Sequence, residues 1–160
     1  MSVLYLVLAL VIAFADQIIK YFVIHNLQPV HSVTAIPYIL DLTYVENRGV
    51  AFGMFKDNRW IFIVVTSVVI LAFVFLLLKY GKTSKLFSIA SMLIIGGGIG
   101  NLIDRIYLGY VVDYLSLSFF PPVCNFADYC ISGGTVLLVI YLLFFSEMDK
   151  DTKISDKVKS

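Results

Sequence analysis

Four apolar stretches decide what this chain can fold into. A bilayer core about 30 Å thick needs roughly 20 apolar residues in a helix. Four runs meet that length, near residues 3–24, 60–78, 86–103 and 127–145. The composition agrees: 60% of the residues are hydrophobic, where soluble domains hold roughly 45–50%. The expected fold class is therefore an all-α transmembrane bundle of four helices, with a small extracytoplasmic β-sheet or loop element. Residues 1–146 read as one membrane-embedded domain and residues 147–160 as a polar cytoplasmic tail. The net charge of +1 supplies no field to gather nucleic acid.

The first run contains Ala13-Phe14-Ala15, which looks like a signal-peptide cleavage site. No Lys or Arg precedes it, however, and the apolar pattern resumes after Lys20 as YFVI. The run is therefore kept as a helix. The loop between the second and third runs carries Lys79, Lys82 and Lys85, and the tail carries Lys150, Lys153, Lys157 and Lys159. The positive-inside rule places that loop and both termini in the cytoplasm. Segments 25–59 and 106–126 then lie outside. Within the first of these, YILDLTYV alternates and is rich in β-branched and aromatic residues, so a strand is expected there. Trp60 fits an interfacial anchor at a span entrance.

Charges near hydrocarbon are expensive, at least about 2.5–3.5 kcal/mol each at the bilayer centre. Yet Asp16, Lys20, Asn101, Asp104, Arg105, Asn125 and Asp128 lie in or beside the spans, with Asp113 in a connector and Glu46, Asn47 and Arg48 in the outer segment. The expected topology brings Asp104, Asp113 and Asp128 to one membrane surface, and span one carries Asp16 and Lys20 toward it. Asp16 and Lys20 are four residues apart and share a helix face. Arg105 follows Asp104 and is its expected partner. Asp113 and Asp128 have no sequence-adjacent cation.

Two converging carboxylates can share a proton, one acting as base toward water and the other as acid toward substrate. That is aspartic-peptidase chemistry, and Asp113 with Asp128 is the better pair for it. No Ser–His or Cys–His arrangement competes. Cys124 and Cys130 match neither a zinc pattern nor a disulfide framework. His25 and His31 read as loop-surface residues. No metal or cofactor is expected. The alternatives are a small ion-coupled transporter, disfavoured because the acids gather at one face, and an assembly subunit, which leaves Asp113 and Asp128 without a purpose.

The series FADQIIKYFV, ENRGVAFGMF, GNLIDR, GYVVDYL and CNFADYCI resembles, in order, the motifs of the lipoprotein signal peptidases, the type II signal peptidases of bacteria. The resemblance implies an intramembrane aspartyl endopeptidase of the bacterial cytoplasmic membrane. It would cut a prolipoprotein just before a diacylglyceryl-modified cysteine. It places the dyad on Asp113 and Asp128. It places supporting roles on Asp16, Lys20, Asn47, Gly49, Asn101, Asp104, Arg105, Asn125 and Ala127. Expected partners are lipidated prolipoproteins and membrane lipids, with the enzyme a monomer and its site at the outer leaflet. The stretch RGVAFG is expected to close over substrate, with Gly49 and Gly53 as bending points.

Overall fold

The computed structural model describes residues 2–49, 59–82 and 84–145. The tail 147–160 and most of the RGVAFG stretch, Gly53 included, lie outside the described residues. Four helices form: α1 (Ser2–Phe22), α2 (Arg59–Tyr80), α3 (Lys85–Tyr107) and α4 (Phe126–Phe144). A π-helical turn, Val23–Leu27, extends α1. Each helix is long and apolar enough to cross a bilayer, close to the four expected runs.

The hub of the bundle is α3, the most deeply buried of the four. Its composition explains why. A side chain added at Gly96 would strike Ala9 and Ile12 of α1, one at Gly97 would strike Ala127 and Ile131 of α4, and one at Gly98 would press on Ile70 of α2. Three consecutive glycines thus admit three neighbours at close range, as small residues do in lipid. Buried Ala9, Ile70, Leu77 and Ile95 form the apolar core around this hub. Large apolar side chains remain exposed along α1, α2 and α4, as for example at Val7, Phe14, Val68, Leu71, Val136 and Leu143. Helices with that surface need lipid around them.

The expected strand is present, displaced slightly to β2 (Leu40–Asn47). It is joined by β1 (Ser32–Ile36), β3 (Val111–Leu117) and β4 (Phe120–Cys124). The four form one antiparallel sheet in the order β1-β2-β3-β4. Segment 106–126, read from sequence as a connector, is thus a hairpin joining α3 to α4. Two local features aim it. Gly109 takes φ +85° just past the end of α3, the left-handed conformation that glycine supplies at helix C-termini. The N–H groups of Leu108 and Gly109 both return to the Asp104 carbonyl. At the other end Asn125 caps α4, so β4 passes directly into the helix.

Candidate active site

The strands and helix ends converge on a buried polar network. Asp113 lies on β3 opposite Val45 of β2, and Asn47 pairs with Val111 two residues away. Diagonal neighbours of that kind share a sheet face, and Asn47 Nδ2 donates to Asp113 Oδ2 at 2.8 Å. The Gly49 N–H in turn donates to Asn47 Oδ1 at 3.2 Å, which fixes the amide.

Asp128 occupies the first turn of α4 as half of a capping box. Asn125 Oδ1 accepts from the Asp128 N–H at 2.9 Å, and Asp128 Oδ2 accepts from the Asn125 N–H at 3.1 Å. This reciprocal cap satisfies donors that a helix start leaves open. With its oxygen so committed, Asn125 turns its amino group outward. It donates to Asp113 Oδ1 at 2.6 Å and to Asn101 Oδ1 at 3.2 Å. One asparagine therefore touches both Asp113 and Asp128.

Asn101 on α3 completes the link. An ammonium can only donate, so Lys20 Nζ, 2.8 Å away, fixes the Asn101 oxygen toward itself. The Asn101 amino group must then face the other way, where it donates to Asp128 Oδ1 at 2.8 Å. Lys20 also lies 2.8 Å from Asp16 and 2.8 Å from Asp104. Three acceptors thus match its three N–H bonds.

Asp16 and Asp104 are locked further by backbone. The Ala127 N–H donates to Asp16 Oδ1 at 3.2 Å, and the Val112 N–H donates to Asp104 Oδ2 at 3.0 Å. The first contact ties α1 to the start of α4, and the second ties α3 to β3. Gly100 is required beside Asp16, because a Cβ there would meet the carboxylate.

Asp16, Lys20, Asn47, Gly49, Asn101, Asp104, Arg105, Asp113, Asn125, Ala127 and Asp128 all join this network, whereas Glu46 and Arg48 pair with each other at 2.8 Å. One expected pairing is wrong. Asp104 does not take Arg105 as its ion partner; it takes Lys20. Adjacent residues on a helix do not face each other. Arg105 instead donates to the Asn101 carbonyl at 3.2 Å and lies over the Phe62 ring of α2 at 5.4 Å. The Asp16–Lys20 pair is present.

Two residues escaped the sequence reading. Gln17 donates to Asp104 Oδ1 at 2.9 Å and to the Gly100 carbonyl at 3.1 Å. Its signal was visible as a polar residue inside a span, between Asp16 and Lys20. Tyr114 accepts from the Phe126 N–H at 3.2 Å; as an aromatic on a strand it carried no signal.

Among the described residues, no cation pairs with Asp113 or Asp128; their partners are amides. Asp113 is 1% exposed. Burial first, and the nearby Asp128 charge, push its carboxyl up from 3.8 to about 6, against the bonds from Asn47 and Asn125 and the Lys20 charge. Burial likewise pushes the Cys124 thiol up.

This arrangement has known relatives. A family model described as signal peptidase (SPase) II matches residues 8–144. A lipoprotein signal peptidase of Halothermothrix orenii is 45% identical over 138 residues, 85% of this chain and 92% of that protein. One from Clostridioides difficile is 42% identical over 151 residues, 92% and 99% of the two chains. A solved bacterial membrane enzyme at 2.3 Å resolution superposes with a TM-score of 0.80 at 29% identity, covering 87% of each chain. Another, at 1.9 Å, gives 0.80 at 28% identity, covering 89% of this chain and 94% of that one. The match runs from α1 to the end of α4 and takes in every strand: this bacterial membrane protein belongs to the signal peptidase II family.

Proposed function

We propose that the chain is an aspartyl endopeptidase that removes the signal peptide from prolipoproteins, cutting before the diacylglyceryl-modified cysteine. Family membership supports the substrate class. The observation that carries the chemistry is the joining of Asp113, buried on a strand, to Asp128, in a helix's first turn, through opposite ends of Asn125.

In this reading Asp128 starts ionised. It accepts two N–H bonds, and the helix dipole favours its charge by about 0.3–1 kcal/mol. Asp113 holds the proton. Asp128 takes a proton from water as the water oxygen attacks the scissile carbonyl carbon, and Asp113 gives its proton to the carbonyl oxygen. The C–N bond then breaks as Asp128 returns a proton to the leaving nitrogen. Asp113 recovers one from the tetrahedral intermediate as the new carboxyl group forms. No other group need enter the cycle. Lys20 and Asn101 act by orientation, keeping an amide N–H on Asp128.

The lysine distribution supports cytoplasmic termini and a site at the outer leaflet. There a signal helix enters from lipid with its acyl chains still in the bilayer. One domain, residues 1–146, acts as a monomer among membrane lipids, and the tail 147–160 is cytoplasmic. The test is cleavage by the purified protein. A lipidated prolipoprotein should release its signal peptide, and the same precursor without lipid should stay intact. A folded preparation that leaves the lipidated precursor uncut would overturn the proposal.

A further inference from the structure

A surface away from the aspartates has no part in this chemistry. The β1–β2 and β3–β4 turns lie side by side, and the Ser118 N–H donates to the Ile39 carbonyl at 3.1 Å. Together they expose Ile36, Tyr38, Ile39, Phe119 and Phe120; Tyr38 is 97% and Phe119 76% exposed. Tyr38 takes φ +64°, a conformation uncommon for a bulky residue, yet a large aromatic occupies it. Scattered exposed apolar residues need no explanation, but a contiguous patch on joined turns marks an interaction surface.

Three observations say what covers it. No Asp, Glu, Lys or Arg occurs from Leu27 to Leu40, or from Tyr114 to Ala127. The edge strand β1 is exposed along its whole length, where a strand bathed in water is ordinarily blunted by charge. An open apolar groove of about 470 Å³ lies between Ile19, Phe22 and Val23 at the end of α1 and Val33, Leu42 and Tyr114 of the sheet. The groove joins the lipid-facing flank of α1 to the sheet without a charged break. Uncharged aromatic tips continuous with a membrane helix fit the headgroup–acyl boundary, where Tyr and Trp concentrate.

We propose that the two joined turns are an interfacial anchor inserted into the phospholipid bilayer, with a lipid acyl chain lying in the groove. The occupant is bilayer lipid because the two turns and the groove lining carry no charge and run on from a lipid-facing helix. The anchor has a consequence that rests on the function proposed above. Strand β3 carries Asp113 near one end and runs to Leu117, roughly 13 Å along the strand, where the turn bearing Phe119 begins. Insertion of the tip therefore fixes the depth and tilt of the strand that bears the candidate acid.

The test uses the full chain in phosphatidylcholine vesicles. Trp60 is the sole tryptophan, so a Trp60→Phe background receives Tyr38→Trp or Phe119→Trp, each checked for retained peptidase activity. Lipids brominated high on their acyl chains should reduce emission at both positions at least about twofold, while aqueous iodide quenches little. Strong iodide quenching with no bromine effect would place the tips in water and overturn the proposal. So would shielding that appears only as protein density rises, which indicates a second copy, or only after precursor is added, which indicates substrate. Quenching reads depth and not cleavage, so its failure is distinguishable from failure of the proposed peptidase chemistry.

Discussion

Asp16 and Asp104 differ from Asp113 and Asp128 in what holds them. The first two surround Lys20 at 2.8 Å, in a centre where every N–H of the ammonium has an acceptor. The second two are held by amides of Asn47, Asn101 and Asn125, with no ion pair among the described residues. The first pair is held in place by charge-assisted hydrogen bonds to one ammonium. In the proposed mechanism, the second two carboxylates, beside neutral donors, are the ones that pass a proton. The difference separates a centre built to stay fixed from one able to exchange protons.

The largest effect should come from removing exchange. Asp113→Asn and Asp128→Asn keep shape and some of the hydrogen bonding but cannot pass the proton. Each should lower signal-peptide release by about 10²–10⁴-fold, with the protein still folded in membranes. Full activity in either variant, at wild-type expression, would erase the distinction between the two centres.

Next comes the fixed centre. Lys20→Met leaves Asp16 and Asp104 buried without their cation, which should cost about 3–5 kcal/mol. Thermal melting in detergent measures this, and adding Asp104→Asn to the same chain should restore part of the loss. A melting temperature equal to wild type would mean that the centre is not held by charge. The Lys20 variant also frees the Asn101 amide to turn, so residual activity should fall even at temperatures where the protein is folded.

The third effect follows from the Asp113 carboxyl near 6, against an ordinary 3.8. Between these values the folded state holds a proton that the unfolded state has released. Stability should therefore decline as pH rises from about 4 to about 6, by up to roughly 3 kcal/mol. Asp113→Asn should flatten that slope. Near pH 5 its infrared spectrum should lose a protonated-carboxyl band that Asp128→Asn retains; the reverse pattern would exchange the two roles.

The smallest effect is expected at Arg105. With Asp104 committed to Lys20, Arg105→Gln loses a contact over Phe62 and one bond to a carbonyl. The contact over an aromatic ring is worth about 0.5–1 kcal/mol at an exposed site. A melting shift as large as that of Lys20→Met would restore Arg105 to the ionic centre.

The spans were legible because a helix in lipid is written as a continuous apolar run, and no partner is needed to read it. The gathering of aspartates was legible for the same reason, since charge inside such runs is costly. Three of the four strands were not singled out. SVTAI is short, and FPPVC carries two prolines that ordinarily argue against a strand; β4 tolerates them at the sheet edge. VVDYLSL was hidden by its place between two helices, where a loop is the simpler expectation. The Asp104–Arg105 pairing failed because adjacency in sequence was read as adjacency in space. Gln17 is legible only as a polar residue inside a span, and nothing in its spacing assigns it to Asp104.

The capping box of α4 makes the helix start and the candidate chemistry a single object. Asn125 supplies the cap, and the same side chain reaches Asp113; Asp128 closes the cap, and the same side chain meets Asn101. Helix ends ordinarily fray on fast timescales at little cost to the rest of a protein. Here the first turn cannot fray without separating the two aspartates. Backbone hydrogen exchange at the Asp128 amide should therefore report how often the site is assembled, a clock that runs with or without substrate.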